Sequence, residues 1–273
     1  MTCRTLRLIL ACLAAPAVLP MPALGQGMHG SVPADSVIAG IRRTLTVCDS
    51  AWRELAYITV TRERKLDGEG RIEKETTYKS RVYVRHDDQR EFLEAMWEDG
   101  QPVSDKKLRS EQDDRRKQQR KQLQERRKKK GEEREKGTFR MLDPFREDPV
   151  PDYDLTAISP DTLSGVPVWK VAVQPRRESE DLLAGMAWVT IDTYRAIAES
   201  YRLAKLPGGV KSMEMRFEYG EVIPQCAFPR HFLMRAHGRA LLVIKFNMEL
   251  DVQMDSVQID PELPDSLFAM PED

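Results

Sequence analysis

Eight apolar side chains fall on every second residue near the C-terminus: Ala240, Leu242, Ile244, Phe246, Met248, Leu250, Val252 and Met254. From Lys245 onward the residues between them are Lys245, Asn247, Glu249, Asp251, Gln253 and Asp255. Side chains alternate between the two faces of a strand, so the spacing predicts one strand, dry on one face and wet on the other. A helix would spread the same residues around its axis. From Ala240 to Ser256, at about 3.3 Å per residue, such a strand spans on the order of 50 Å. Strands that long and one-sided belong to large, bent antiparallel sheets. The concave face of such a sheet must be filled by a helix, a second sheet or a ligand.

Most of the chain supports that architecture. Asp35 or Ser36 caps a predicted helix starting near Val37, with Val37, Ile38, Ile41 and Leu45 on one face. The period then changes to two. Ala56, Ile58 and Val60 alternate with Tyr57, Thr59 and Thr61; Ile72, Thr76, Tyr78, Val82 and Val84 form a second row, and a third strand covers 91–97. Further strands are expected over 153–159, from Gly165 through Val173, over 187–192 and 196–204, over 210–219 and over 228–236. His237-Gly238-Arg239 is expected as the turn into the long strand, and Leu263, Leu267 and Phe268 as anchors for the tail. The fold class is therefore α+β, mainly β, with about ten or eleven strands.

The first 25 residues have the form of a secretory signal. Arg4 and Arg7 precede an apolar stretch from Leu8 to Leu19, and Ala23-Leu24-Gly25 supplies small residues for cleavage after about Gly25. Residues 26–273 then form a single exported domain. Cleavage reduces 43 Lys and Arg against 44 Asp and Glu to 41 against 44, a net charge of −3. A nucleic-acid binder would need a basic excess. Cys48 and Cys226 are the cysteines that remain. An oxidising compartment permits a bridge between them, while two separate buried thiols fit the sequence equally.

Residues 105–152 differ in kind. Between Glu111 and Gly137 lie twelve Lys or Arg, seven Asp or Glu, and Leu123 as the one large apolar residue. Such a stretch is a solvated helix or a disordered excursion inserted into the sheet domain; its basic cluster 126–130 suits a transient contact with anionic headgroups at a membrane surface or with nucleic acid, but the interleaved acids favour a charged surface connector.

No catalytic constellation is visible. His29, His86, His231 and His237 lack a second ligand at zinc spacing, neither cysteine lies in a nucleophile motif, and no phosphate loop, dinucleotide fingerprint or G-x-S-x-G occurs. No enzyme, cofactor or metal is expected. The informative chemistry is apolar. Met213, Met215, Met248 and Met254 fall on predicted inward rows, with Phe217 beside the first two. Flexible thioethers suit a surface that accepts several ligand shapes, and equally suit an ordinary core.

Four stretches resemble the LolA-like family of outer-membrane lipoprotein carriers and sorting proteins. They are the exported start with its helix and charged strand to Lys65; Gly165 to Val173 (GVPVWKVAV); Trp188 to Asp192 with the strand 197–203 and 211–215; and the closing strand with Leu263 to Phe268. The resemblance implies an unclosed antiparallel half-barrel, covered on its concave face by one or more helices. It also implies an apolar cavity for lipoprotein or lipid acyl chains, in a monomer. Met213, Met215, Phe217, Leu242, Ile244, Phe246, Met248, Leu250, Val252 and Met254 are the candidate cavity residues. In that family an arginine of the first strand helps hold the lid shut; Arg62 and Arg64 occupy the comparable region, and neither is assigned the role. A protein-interaction or sensor module of the same fold is the alternative.

Overall fold

The computed structural model describes residues 33–85, 88–128, 144–145, 152–240 and 244–269. The signal segment, the leader 26–32, His86, most of 129–151 and Leu242 lie outside these residues. In chain order the elements are α1 (Ala34–Ala51), β1 (Glu54–Leu66), β2 (Ile72–Arg85), β3 (Asp88–Glu98), β4 (Gln101–Pro102), α2 (Asp105–Lys128), β5 (Tyr153–Leu163), β6 (Val166–Pro175), β7 (Leu183–Thr190), β8 (Ala196–Leu203), β9 (Val210–Ile223), β10 (Cys226–Ala240) and β11 (Ile244–Ile259).

All eleven strands form one antiparallel sheet, in the order β4-β3-β2-β1-β11-β10-β9-β8-β7-β6-β5. The first strand pairs with the last, which joins the two halves of the chain at the middle of the sheet. The sheet is unclosed: β4 and β5 are its two edges. Helix α2 leaves the chain at one edge, and the polypeptide re-enters at the other.

The long C-terminal alternation is not a single strand. Ala240 pairs with Ile244, so the chain reverses between them and Ala240 is the last residue of β10. His237-Gly238-Arg239, expected as that turn, lies inside β10. Gly238 is opposite Phe246, and a Cβ at Gly238 would come within 2.6 Å of the Phe246 ring. The alternation crosses the reversal unbroken because apolar residues continue on both sides of it, so period alone does not mark the bend. Helix α1 also starts earlier than expected, with Pro33 at its N-cap and no side-chain cap. Pro33 has no N–H to lose there and leads straight into the first turn, so neither Asp35 nor Ser36 is needed as a cap.

The main core lies on one face of the β5–β10 side. Val37, Ile38 and Ile41 of α1 pack with Trp169, Val171, Val173, Ala187, Val189, Tyr201, Met215 and Phe217. Burying a side chain of this size contributes roughly 1.5–3 kcal/mol. A second cluster joins Leu55 and Tyr57 of β1, Val82 of β2, Phe228 and Met254. The tail is held as expected. Leu263 is buried, and the Phe268 ring lies 4.6 Å from the Arg85 guanidinium, while Arg90 donates to the Phe268 carbonyl at 2.8 Å.

Helix α2 is polar around its circumference, yet it has a defined seat. Gln112 donates to the Leu93 carbonyl at 2.9 Å and Gln119 to the Glu91 carbonyl at 2.8 Å. These carbonyls belong to β3 beyond its two-residue pairing with β4. The helix thereby occupies hydrogen-bonding positions that an exposed strand edge would offer to another chain. Arg115 adds an ion pair to Glu91 at 3.0 Å and lies 4.3 Å over the Tyr78 ring.

Candidate apolar binding face

The register of β9, β10 and β11 assembles most of the predicted row. Met213 faces Ala236, which faces Met248; Met215 faces Met234, which faces Leu250; Phe217 faces Phe232, which faces Val252. Directly paired residues project to the same face, so these nine form three apolar rows across three strands. Phe246 and Met254 extend the β11 side at its two ends. Leu242 lies outside the described residues, and of Ile244 only the backbone pairing is described.

The candidates do not share one environment. Met215 and Phe217 belong to the core with α1, and the Phe217 ring is 4.7 Å from that of Phe232. Met254 belongs to the second cluster. Met213, Phe246, Leu250 and Val252 are half-buried, and Met248 is 38% exposed. A methionine-rich strip thus continues beyond the part of the face that α1 covers. Across the β11–β1 boundary it turns polar: Met254 faces Thr59, Val252 faces Thr61, Leu250 faces Glu63, and Met248 faces Lys65.

A wide groove of about 780 Å³ lies between α1 and β5, whereas between α1 and β7–β10 little space remains. A cavity of about 80 Å³ is lined by Ile41, Leu45, Phe145, Val189, Tyr194 and Tyr219, among others. Glu199 is buried at its wall and accepts a hydrogen bond from the Tyr219 hydroxyl at 2.6 Å. Helix α1 is fixed over this space at several points. Cys48 is disulfide-bonded to Cys226, with Cα atoms 5.4 Å apart. The Thr44 hydroxyl donates to the Thr193 carbonyl at 2.8 Å. At Gly40 the helix approaches the Tyr194 ring so closely that a Cβ would come within 2.6 Å of it.

The opposite face carries a chain of ion pairs that the sequence reading did not assemble. Glu249 of β11 accepts from Arg64 of β1 and from Arg235 of β10, each at 2.7 Å, and Arg64 also donates to Glu75 of β2 at 2.7 Å. Asp251 lies 3.6 Å from Arg62 and 3.0 Å from His231, which is 3.7 Å from Glu218 of β9. Five strands are stitched in this way. Glu249 is almost buried although it lies on the row predicted to be wet. Burial pushes its carboxyl upward, and the two guanidiniums outweigh that and hold it below the ordinary carboxylate value. Arg62 and Arg64 therefore point away from the α1 face, where neither can latch that helix. The signal that was available is the spacing itself, with Arg62 and Arg64 two apart on β1 and Glu249 and Asp251 two apart on β11.

Among the described residues no three His, Cys, Asp or Glu side chains converge to hold a metal ion, and no helix is long and apolar enough to cross a membrane.

No protein-family model and no curated protein matches the sequence. Solved structures do. A LolA superfamily protein from Nitrosomonas europaea matches with 11% identity over 88% of this chain and 98% of its own, at a TM-score of 0.40. An outer membrane lipoprotein-sorting protein domain from Vibrio parahaemolyticus matches with 9% identity over 86% and 97%, at 0.42. A chain of the MucA/MucB complex of Pseudomonas aeruginosa matches with 9% identity over 80% and 98%, at 0.24. At low sequence identity, the chain is similar in structure to LolA superfamily proteins.

Proposed function

We propose that this is an exported, non-enzymatic carrier that holds acyl chains of lipoproteins or lipids on the apolar face of β9, β10 and β11. The observation that carries the reading is the methionine-rich strip of Met213, Met248, Leu250 and Val252, which continues past the cover of α1 and stays partly open. Soft, unbranched side chains on a rigid sheet adapt to a flexible chain, and nothing in an acyl chain asks for a fixed polar partner. Helices over the concave face would complete the site, with α1 at one side. The basic and apolar start of the sequence and the Cys48–Cys226 bond both fit a periplasmic location. The carrier acts as a monomer, with no nucleic acid and no cofactor, and it meets a membrane surface or an envelope protein only transiently. The segment 105–152 is read as an insertion into one domain.

The test is Met248→Glu. Met248 is exposed enough for the variant to fold, and acyl-lipid uptake should fall at least about ten-fold if a charge now sits in the site, the equivalent of ~1.4 kcal/mol. Unchanged uptake by a folded variant would remove the strip from the account.

One observation favours a second reading. Met215, Phe217 and Phe145 already fill the space between α1 and β7–β10 down to a small cavity. A core that is full needs no ligand, and the protein would then serve as an envelope interaction or sensor module. In that case Met248→Glu changes partner capture and leaves lipid uptake at zero in both proteins.

A further inference from the structure

Acidic side chains on β1, β2 and β3 are almost all neutralised. Of the eight on these strands, seven lie in ion pairs with arginine or lysine. The exception is Glu63 of β1, which is exposed and has no cationic partner among the described residues. The cations around it are engaged elsewhere. Lys65 pairs with Glu73, Lys74 with Glu98, and Arg115 of α2 with Glu91 and Glu111. Arg62 and Arg64, its neighbours in sequence, project to the other face of the sheet. Glu63 also marks the place where the apolar strip stops. It faces Leu250 on one side and Thr76 of β2 on the other, two residues along from the row of Val252, Thr61 and Tyr78. Directly paired residues share a face, so an unpaired carboxylate stands beside the strip with hydroxyls around it. Burial first, then the Glu63 and Glu111 carboxylates, push the Tyr78 phenol upward, so it stays protonated.

We propose that Glu63 receives an ammonium group carried close to the acyl chain of the ligand, and that the site disfavours a purely anionic head. The inference rests on the carrier reading above and adds the polar end of its ligand. An acyl chain lying along Met248, Leu250 and Val252 brings its head to the β1 boundary, because these residues face Lys65, Glu63 and Thr61 in turn. There an ammonium gains charge-assisted hydrogen bonds to the one carboxylate without a cation. A carboxylate or phosphate head meets like charge instead, and the nearby lysines already hold acids of their own. Two sources carry the required chemistry: a lipid with an amino head, and an acylated peptide with an amine near its anchor.

The test uses the full exported protein, oxidised and delipidated, in calorimetric titrations at neutral pH. The probes are dodecylamine and dodecanoate below their micelle-forming concentrations, equal in chain and opposite in charge. The parent should bind the amine more tightly. Glu63→Gln should reduce that preference by about two- to five-fold, the range an exposed ion pair supplies, and Glu63→Lys should invert it. Glu214→Gln makes the same change in net charge at an exposed position on the opposite face of β9, and should leave the preference as it is. A cooperative thermal transition establishes that each variant is folded. Lysophosphatidylethanolamine and a palmitoylated lysyl peptide then separate the sources. The one whose affinity falls in Glu63→Gln is the class that the site takes.

A preference that Glu63→Gln leaves unchanged, or that Glu214→Gln reduces equally, would overturn the assignment of Glu63 and leave the carrier reading standing. Equal or tighter binding of dodecanoate by the parent would overturn it as well. Absence of binding of either probe by the parent would overturn the carrier reading itself, and the seat for the ammonium with it.

Discussion

Cys48, in the last turn of α1, is bonded to Cys226, the first residue of β10, across 178 residues of sequence. The bond ties the helix to the sheet at the end where the chain runs on into β1. A bridge over so long a loop removes much of the entropy of the unfolded chain, about 3–5 kcal/mol in the loop-closure account. Reduction, or replacement of both cysteines by alanine, should therefore lower stability by that amount in chemical denaturation. An unchanged midpoint under reducing conditions would show that α1 is held by its apolar face and not by the bond.

Glu249 predicts a definite pH dependence. Its carboxyl is held below the ordinary value by Arg64 and Arg235, so folding favours its ionised form. The stabilisation is complete above the unfolded value of about 4.3 and is lost as pH falls through the folded value. Glu249→Gln should cost about 1–3 kcal/mol at neutral pH, since two guanidiniums lose a charged partner. The difference between parent and variant should shrink below about pH 4. Denaturant melts at neutral and acid pH measure it, and a gap that stays constant would rule out the ion chain as its source.

Three methionines of this face, Met215, Met248 and Met254, should not behave alike. Met215 is buried in the α1 core, and Met215→Ala should cost about 2–5 kcal/mol. Met248 is well exposed, and Met248→Glu should change stability by no more than about 0.5 kcal/mol. Met254 in the second cluster should follow Met215. Thermal melts of the three variants separate core from strip. Equal losses at Met215 and Met248 would mean that the strip is core as well.

Helix α2 should act on association more than on stability. Replacing Gln112 and Gln119 with alanine removes two bonds to β3 carbonyls, worth about 1 kcal/mol each. It also uncovers a strand edge. Light scattering should detect concentration-dependent self-association in the double variant and none in the parent. A monodisperse double variant would show that the edge is protected in another way.

The sheet was legible in the sequence because a period of two over many segments has one structural solution, and the strands appeared where alternation placed them. Their ends did not. The run from Ala240 through Met254 reads as one strand because apolar residues continue through the reversal between Ala240 and Ile244. Local pattern also left open which face each row would join. Ala56, Ile58 and Val60 read as an apolar row, but they lie on the face of Arg62 and Arg64, while Tyr57 and Thr59 lie on the face of Met254. Facing is set by register with strands nearly two hundred residues away, which no single segment encodes. Helix α2 was recognised as a charged stretch without an apolar face. Its seat on β3 depends on two glutamines, and a hydrophobic pattern does not see them. Phe145 was missed for the same reason, as an aromatic in a polar stretch with no periodicity.

The central claim is that the apolar face takes an acyl chain. Its most direct test is a native mass spectrum of the exported protein, purified from a bacterial periplasm without detergent. The account predicts extra mass on the folded chain, released by organic solvent as acyl lipid or lipopeptide. A bare chain mass that stays bare when lipid is added would contradict it.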